Sequence, residues 1–325
     1  MNPNKLILHT VSGGRRVRTP PLPPGKRFPL LSPSELERYK NLYTFTKMRV
    51  EGHLSGRHKS PFQGSSSDFA DYHEYSPGQD VSRIDWRVYG RSRRLYVRRF
   101  EEETDMAIYL LVDVSASMNY GGSGRMPKFI HAARLAAAIA YLAVRQRDKV
   151  ALGLVGKELR NYCKAGGSRL HLQNLLQMLE SVYPAQSTSL ATALHNCAEV
   201  FRRRGRLVLI SDFHDDLDAV LDALGHFRHR GFEIQLYQIL DPDELKLPRS
   251  AAVEFIDMEN HERVRADIDE IRKLYMQRIQ DVIRRLGDES VRRHFFHHLV
   301  NPNSPLHSGL EAYLNAGKRP PSILA

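Results

Sequence analysis

The chain predicts an α/β fold, a doubly wound and mainly parallel sheet, with a small N-terminal β-rich unit. Three observations carry that expectation. Beyond Thr104, uninterrupted apolar runs alternate with segments of helical length and periodicity, the pattern of parallel strands buried on both faces and joined by crossover helices. Two of those runs end on a carboxylate, Asp113 and Asp212, at the strand ends where such sheets bind ligands. Between residues 52 and 103 the texture differs, with Gly, Ser and Pro punctuating short alternating runs. At 325 residues the chain also exceeds one average domain.

In order along the chain, residues 1–30 carry six Lys and Arg (Lys5, Arg15, Arg16, Arg18, Lys26, Arg27), no acid and the run Thr19-Pro-Pro-Leu-Pro-Pro-Gly25, the composition of a basic, Pro-rich flexible tail. Residues 31–103 read as a helix followed by the β-rich unit. Ser34 caps the helix, and Leu36, Tyr39, Leu42 and Tyr43 form its apolar stripe. In 94–100 the alternation sets Leu95, Val97 and Arg99 against Tyr96, Arg98 and Phe100, as in a strand, and the single tryptophan, Trp86, is expected as core anchor of this unit. Residues 104–300 form the α/β domain. Its expected strands are 107–112, 149–155, 207–211, 233–239 and 253–256, with a short edge strand at 159–163. Its expected helices are 128–145, 171–180, 190–203, 217–230 and 267–286. Residues 301–325 are expected as a C-terminal tail.

Lys and Arg number 48 against 37 acids, a net charge of +11, which permits nucleic acid, anionic lipid or an acidic protein as partner. Cys163 and Cys197 form no Cys-x-x-Cys pair, which argues against a disulfide scaffold or zinc ribbon and points to a reducing cytoplasm. The longest apolar stretch, 135–144, falls short of the ~20 residues of a membrane span, so a cytoplasmic chain is expected.

Three separated loops supply oxygen donors. The first is Asp113-Val-Ser115-Ala-Ser117, the second Gln186-Ser187-Thr188-Ser189, and the third ends a strand at Ser211-Asp212. Carboxylate and hydroxyl oxygens without imidazole or thiolate select Mg²⁺, Mn²⁺ or Ca²⁺. Each group also has a local alternative: a capped turn for the first loop, an N-cap for Thr188, and hydrogen bonding to the Asp113 loop for Asp212. Asp215 or Asp216 is placed to cap the following helix. Arg83, Arg87, Arg91, Arg93, Arg94, Arg98 and Arg99 suit phosphates, yet Asp80, Asp85 and Glu101 to Glu103 among them favour a solvated or internally paired surface. Arg202-Arg-Arg-Gly-Arg206 reads as a helix end, and His294-Phe-Phe-His297-His298 as a polar helix end rather than a zinc site. No phosphate-binding Gly-Lys loop, His-Glu-x-x-His or Gly-x-Ser-x-Gly elbow occurs, and Ser115 stands where an aspartate-nucleophile phosphatase wants a second carboxylate. No catalytic residue is assigned.

The three loops resemble the metal-ion-dependent adhesion site of von Willebrand factor A-like domains. Upstream, Tyr75-Ser-Pro-Gly78-Gln-Asp80-Val-Ser-Arg83-Ile-Asp85-Trp86-Arg87, followed by Leu95-Tyr-Val-Arg-Arg-Phe100-Glu101, is similar to the signature of domain-of-unknown-function family 58, over residues 50–314. The second loop departs from the Gly-Gly-Thr-Asp frequent in these proteins. The resemblance implies Mg²⁺, or Mn²⁺ or Ca²⁺, on Asp113, Ser115, Ser117, Thr188 and Asp212, with one position left for a partner's Asp or Glu. It also implies a non-enzymatic adaptor for a MoxR-type AAA+ ATPase in the assembly or maturation of client proteins. The alternatives are a nucleic-acid-binding module, using the basic tail and the Arg-rich surface, and an Mg²⁺-dependent phosphohydrolase on the same acidic loops.

Overall fold

The computed structural model describes residues 7–9, 11–12, 15–16, 30–31, 35, 68–75, 84–101, 107–122, 125–184, 189–246, 252–256 and 263–316. Most of the helix expected near Ser34 lies outside them. In chain order the strands are β1 (Ile7–His9), β2 (Val11–Ser12), β3 (Arg15–Arg16), β4 (Asp68–Glu74), β5 (Tyr96–Glu101), β6 (Ala107–Asp113), β7 (Lys149–Val155), β8 (Leu159–Gly166), β9 (Gly205–Ser211), β10 (Glu233–Ile239), β11 (Ala252–Ile256), β12 (Arg263–Asp267) and β13 (Phe296–Val300). The helices are α1 (Trp86–Ser92), α2 (Lys128–Arg145), α3 (Arg169–Ser181), α4 (Leu190–Val200), α5 (Leu217–His229), α6 (Pro242–Leu245), α7 (Ile268–Arg292) and α8 (His307–Ala316). The chain divides into two compact units, Val50–Asp105 and the remainder.

In the smaller unit, β4 and β5 pair antiparallel, from Asp68 opposite Glu101 to Glu74 opposite Tyr96. Asp85 caps α1 by accepting from the backbone N–H groups of Arg87 and Val88, and Arg93, in the left-handed region at φ 55°, closes it. Ile84 is buried, whereas Trp86 is 62% exposed. The tryptophan is therefore no core anchor, because the cap at Asp85 starts the helix one residue before it and α1 has no buried residue.

The larger unit is built on a six-stranded sheet in the order β13-β10-β9-β6-β7-β8, parallel except for β8, which runs antiparallel to β7. β6 is buried along its whole length. Ile108, Leu110 and Val112 join one core with residues of α2, α3 and α8, while Tyr109 and Leu111 join a second core with residues of α4, α5 and α7. Two-faced burial explains the unbroken apolar runs. Gly205 is required where β9 comes alongside β6, since a Cβ there would meet the Ala107 carbonyl oxygen at 2.0 Å.

Several expectations are corrected. The strand expected at 253–256 forms outside the main sheet, as β11 between β1 and β12, because β13 takes the edge beyond β10. The histidine-rich segment lies on that strand β13, with a period of two instead of a helical one, so His297 and His298 alternate across the sheet. His297 Nε2 lies 3.2 Å from Gln238 Oε1, and burial followed by the neighbouring His298 pulls its imidazole down to about 4. Part of the N-terminal stretch expected to be flexible supplies β1, and α8 forms within the stretch expected as a tail. Helix α4 ends at Val200, where Phe201 turns inward and stacks on Tyr109, so Arg202 to Arg204 bridge into β9 and Arg206 lies on that strand, paired with Glu233.

Candidate metal centre

The chain runs outward from β6 to β7 and β8 on one side, then returns to build β9, β10 and β13 on the other. The strand order therefore reverses at β6, and the crevice beyond the carboxyl ends of β6 and β9 is where ligands enter such sheets. Asp113 is the last residue of β6, and Ser211 the last of β9, with Asp212 following.

Asp113 is 1% exposed. Its Oδ1 accepts from the Ser115 backbone N–H at 2.8 Å and its Oδ2 from the Ser211 hydroxyl at 2.6 Å. Ser115 and Ser117, both buried, bring their hydroxyl oxygens to 2.9 Å of each other, in a 3-10 turn that begins at Ala116. One carboxylate and two hydroxyls thus converge as the Asp-x-Ser-x-Ser spacing suggested. Phe213, next to Asp212, is buried with φ 57°, a left-handed conformation costly for a bulky residue. It is held there by its N–H to Ser211 Oγ at 3.0 Å, while the His214 N–H donates to Asp212 Oδ1 at 3.2 Å. Such strain concentrates at functional sites.

Thr188 lies outside the described residues. Its neighbour Ser189 begins α4 without a side-chain cap, donating its N–H to Gly156 O at 3.2 Å, and the free N–H of Leu190 is taken by Asp215 Oδ2 at 2.6 Å. Asp216 caps α5 through the N–H groups of Asp218 and Ala219. Asp215 and Asp216 therefore serve two different helices.

Sequence reasoning missed the site's cation. Lys128, the first residue of α2, is 0% exposed, and its Nζ donates to Asp212 Oδ2 at 2.8 Å and to Glu244 Oε1 at 2.6 Å. The second oxygen of Glu244 accepts from the Asp241 N–H at 2.7 Å, closing a capping box on α6. Asp241 in turn receives Arg125 Nη2 at 2.6 Å and the Gly122 N–H at 3.2 Å. Two signals were visible in the sequence: a lysine opening a mostly apolar helix, and the Asp-Pro-Asp-Glu capping string after β10.

The electrostatics separate the two aspartates. Burial, then the nearby Asp212 carboxylate, push Asp113 up to about 7 against the hydrogen bonds from Ser211 and Ser115. Burial also acts to raise Asp212, but the Lys128 ammonium and His214, with hydrogen bonds from Lys128 and Ser117, hold it well below the usual carboxylate range. Burial acts to lower Lys128, yet Asp212 and Glu244 keep it above the ordinary lysine value. Among the described residues no cationic side chain pairs with Asp113. Three buried carboxylates, Asp113, Asp212 and Glu244, thus face one ammonium, an excess of two negative charges when all are ionised. This oxygen-rich donor set and its charge fit a hard dication at Asp113, Ser115 and Ser117.

Arg87, Arg91, Arg93 and Arg94 are exposed on and just after α1, and Arg83 lies outside the described residues.

Comparison with known proteins adds the following. Residues 71–284 match the family described as "Protein of unknown function DUF58". Uncharacterized protein Rv1480 of Mycobacterium tuberculosis (strain ATCC 25618 / H37Rv) is 28% identical over 226 residues, covering 68% of this chain and 70% of the relative. Uncharacterized protein Mb1516 of Mycobacterium bovis matches to the same extent, 28% over 226 residues. Among solved structures, an aerotolerance-related membrane protein from Bacteroides fragilis aligns at 15% identity with TM-score 0.45, over 66% of this chain and 100% of that one. The conserved hypothetical protein BatB from Bacteroides thetaiotaomicron aligns at 14% identity with TM-score 0.44, over 66% and 100%.

Proposed function

The chain belongs to the DUF58 family, and from that premise we propose that it is a non-enzymatic, metal-dependent protein-interaction module of the von Willebrand factor A-like kind. In this reading Asp113, Ser115, Ser117, Thr188 and Asp212 hold Mg²⁺, with Mn²⁺ or Ca²⁺ as substitutes. One observation carries the reading: Asp113 is buried beside a second carboxylate, with no cationic side chain paired to it among the described residues. A buried anion in that position is costly unless a cation meets it.

The metal, when bound, supplies a fixed positive charge and one coordination position for a partner's Asp or Glu carboxylate. The chain's own residues do the rest. The Ser115 N–H and Ser211 hydroxyl fix the orientation of Asp113, and the 3-10 turn brings the two serine hydroxyls to 2.9 Å of each other. Lys128 keeps Asp212 ionised, and the burial of Asp113 and Asp212 strengthens a charge interaction made there. The partner in this reading is a MoxR-type AAA+ ATPase or its client, with the ATPase supplying the energy for assembly or maturation. The test is purification of the tagged chain from native extract with and without EDTA, beside Asp113→Ala. The expected result is an AAA+ ATPase that co-purifies only with metal and only with Asp113 intact. Equal recovery in all samples would overturn the bridge.

A second reading rests on α1. Trp86 and Tyr89 are exposed and meet edge to face at 6.1 Å, surrounded by exposed Arg87, Arg91, Arg93 and Arg94. Aromatic stacking platforms among arginines suit single-stranded nucleic acid. Filter binding that falls steeply with salt, and is lost in Trp86→Ala, is the result this reading requires.

A further inference from the structure

Lys128 is an unusual residue for its position. It opens α2, at the helix end where the dipole opposes a positive charge, and it is fully buried. The ligand atoms of Asp212, His214 and Glu244 all lie within 4.8 Å of one another, a spacing that can hold a metal ion. Nδ1 of His214 lies 3.5 Å from Asp212 Oδ2 and has no hydrogen-bond partner, although the atom is buried. Into this group the chain inserts its own cation, with Nζ 2.8 Å from Asp212 Oδ2 and 2.6 Å from Glu244 Oε1. Candidate ligands are thus grouped twice at the strand ends, once at Asp113, Ser115 and Ser117 and once at Asp212, Glu244 and His214.

We propose that Lys128 is a built-in cation that closes the second position, so that the strand ends take one exchangeable dication instead of a pair sharing Asp212. An ammonium is a compact point charge with three donors and no coordination positions to offer. It orients Asp212 and Glu244 whether or not metal is supplied, but it cannot bind a water or a substrate oxygen as a second metal would. Two-metal centres act by clamping the attacking and leaving oxygens together. Lys128 removes that option and leaves a single position suited to holding a ligand. The claim about the first position rests on the proposed function, whereas the claim about the second stands on the Lys128 contacts.

The test counts Mn²⁺ per chain, by elemental analysis after equilibration, in the wild type, Lys128→Met and Lys128→Met/Glu244→Gln. Lys128→Met is expected to hold one more ion than the wild type, and its thermal midpoint to rise with Mn²⁺ by more than the wild type's. The double variant, short of a ligand, is expected to gain none. An unchanged count in a folded Lys128→Met overturns the proposal. So does a Lys128→Met chain that stays unfolded with Mn²⁺ present, because metal then cannot take the place of the ammonium. The two claims separate in the wild-type count. A rise from none to one contradicts the proposed function alone, and a count of one in both chains contradicts the role of Lys128 alone.

Discussion

Asp113 and Asp212 are both buried strand-end carboxylates, yet their protonation is pulled in opposite directions by what each faces. Asp113 faces another carboxylate and rises to about 7, whereas Asp212 faces Lys128 and stays low. In the metal-free fold Asp113 thus retains a proton that the unfolded chain has lost above the ordinary aspartate value of 3.8. Its contribution to stability therefore falls as pH rises from 3.8 to about 7 and is level above that. Urea unfolding in EDTA should show wild type losing ground to Asp113→Asn across this window. His131 and His297, both lowered to about 4, act with the opposite sign but equally in both chains, so the difference reports Asp113 together with its neighbour Asp212. A dication must displace the same proton, so Mg²⁺ affinity is expected to climb with pH and level off above about 7. A pH-independent affinity in calorimetry would contradict this. In the sequence Asp113, Ser115 and Ser117 share one loop, and Asp113 and Asp212 each follow an apolar run, so their placement at strand ends was legible there. Lys128 and Glu244 were not, because their partners lie 84 and 116 residues away and only the folded sheet brings them together.

At the level of elements, periodicity was read well where both faces of a strand are buried. The expected bounds of β7 and β10, buried but for their first residues, coincide with those observed, as do those of the helix α2. Readings failed where tertiary context outweighed local pattern. The His and Phe of 294–298 mimicked a helix end after α7, and Trp86 was assigned to a core that α1 does not have. Two substitutions test the packing. Gly205→Ala drives a Cβ into the Ala107 carbonyl and should destabilise the fold by about 3 kcal/mol in urea unfolding, the range of an overpacked core. Asp216→Ala removes the cap of α5 and should cost about 1 kcal/mol in the same assay. A neutral Gly205→Ala would contradict the close approach of β6 and β9.

For the whole molecule, the reversal of strand order at β6 puts the acidic loops in the crevice where sheets of this class bind ligands, while family membership alone leaves the activity open. The fold class followed from the alternation of apolar runs and helices, whereas the three-stranded sheet of β1, β11 and β12 did not, because it joins segments more than 200 residues apart that neither length nor periodicity links. Among the described residues no helix is long and apolar enough to cross a membrane. The net charge of +11 contrasts with the three buried carboxylates gathered at the site, so global charge is a poor guide to what this centre attracts. The most direct test of the account is a calorimetric titration of Mg²⁺ into the metal-stripped chain and into Asp113→Asn. Saturable binding of one ion by the wild type is expected, with a loss in Asp113→Asn larger than the about 10–100-fold that outer-shell partners of a metal contribute. No saturable binding by the wild type, or equal binding by a folded Asp113→Asn, would contradict it.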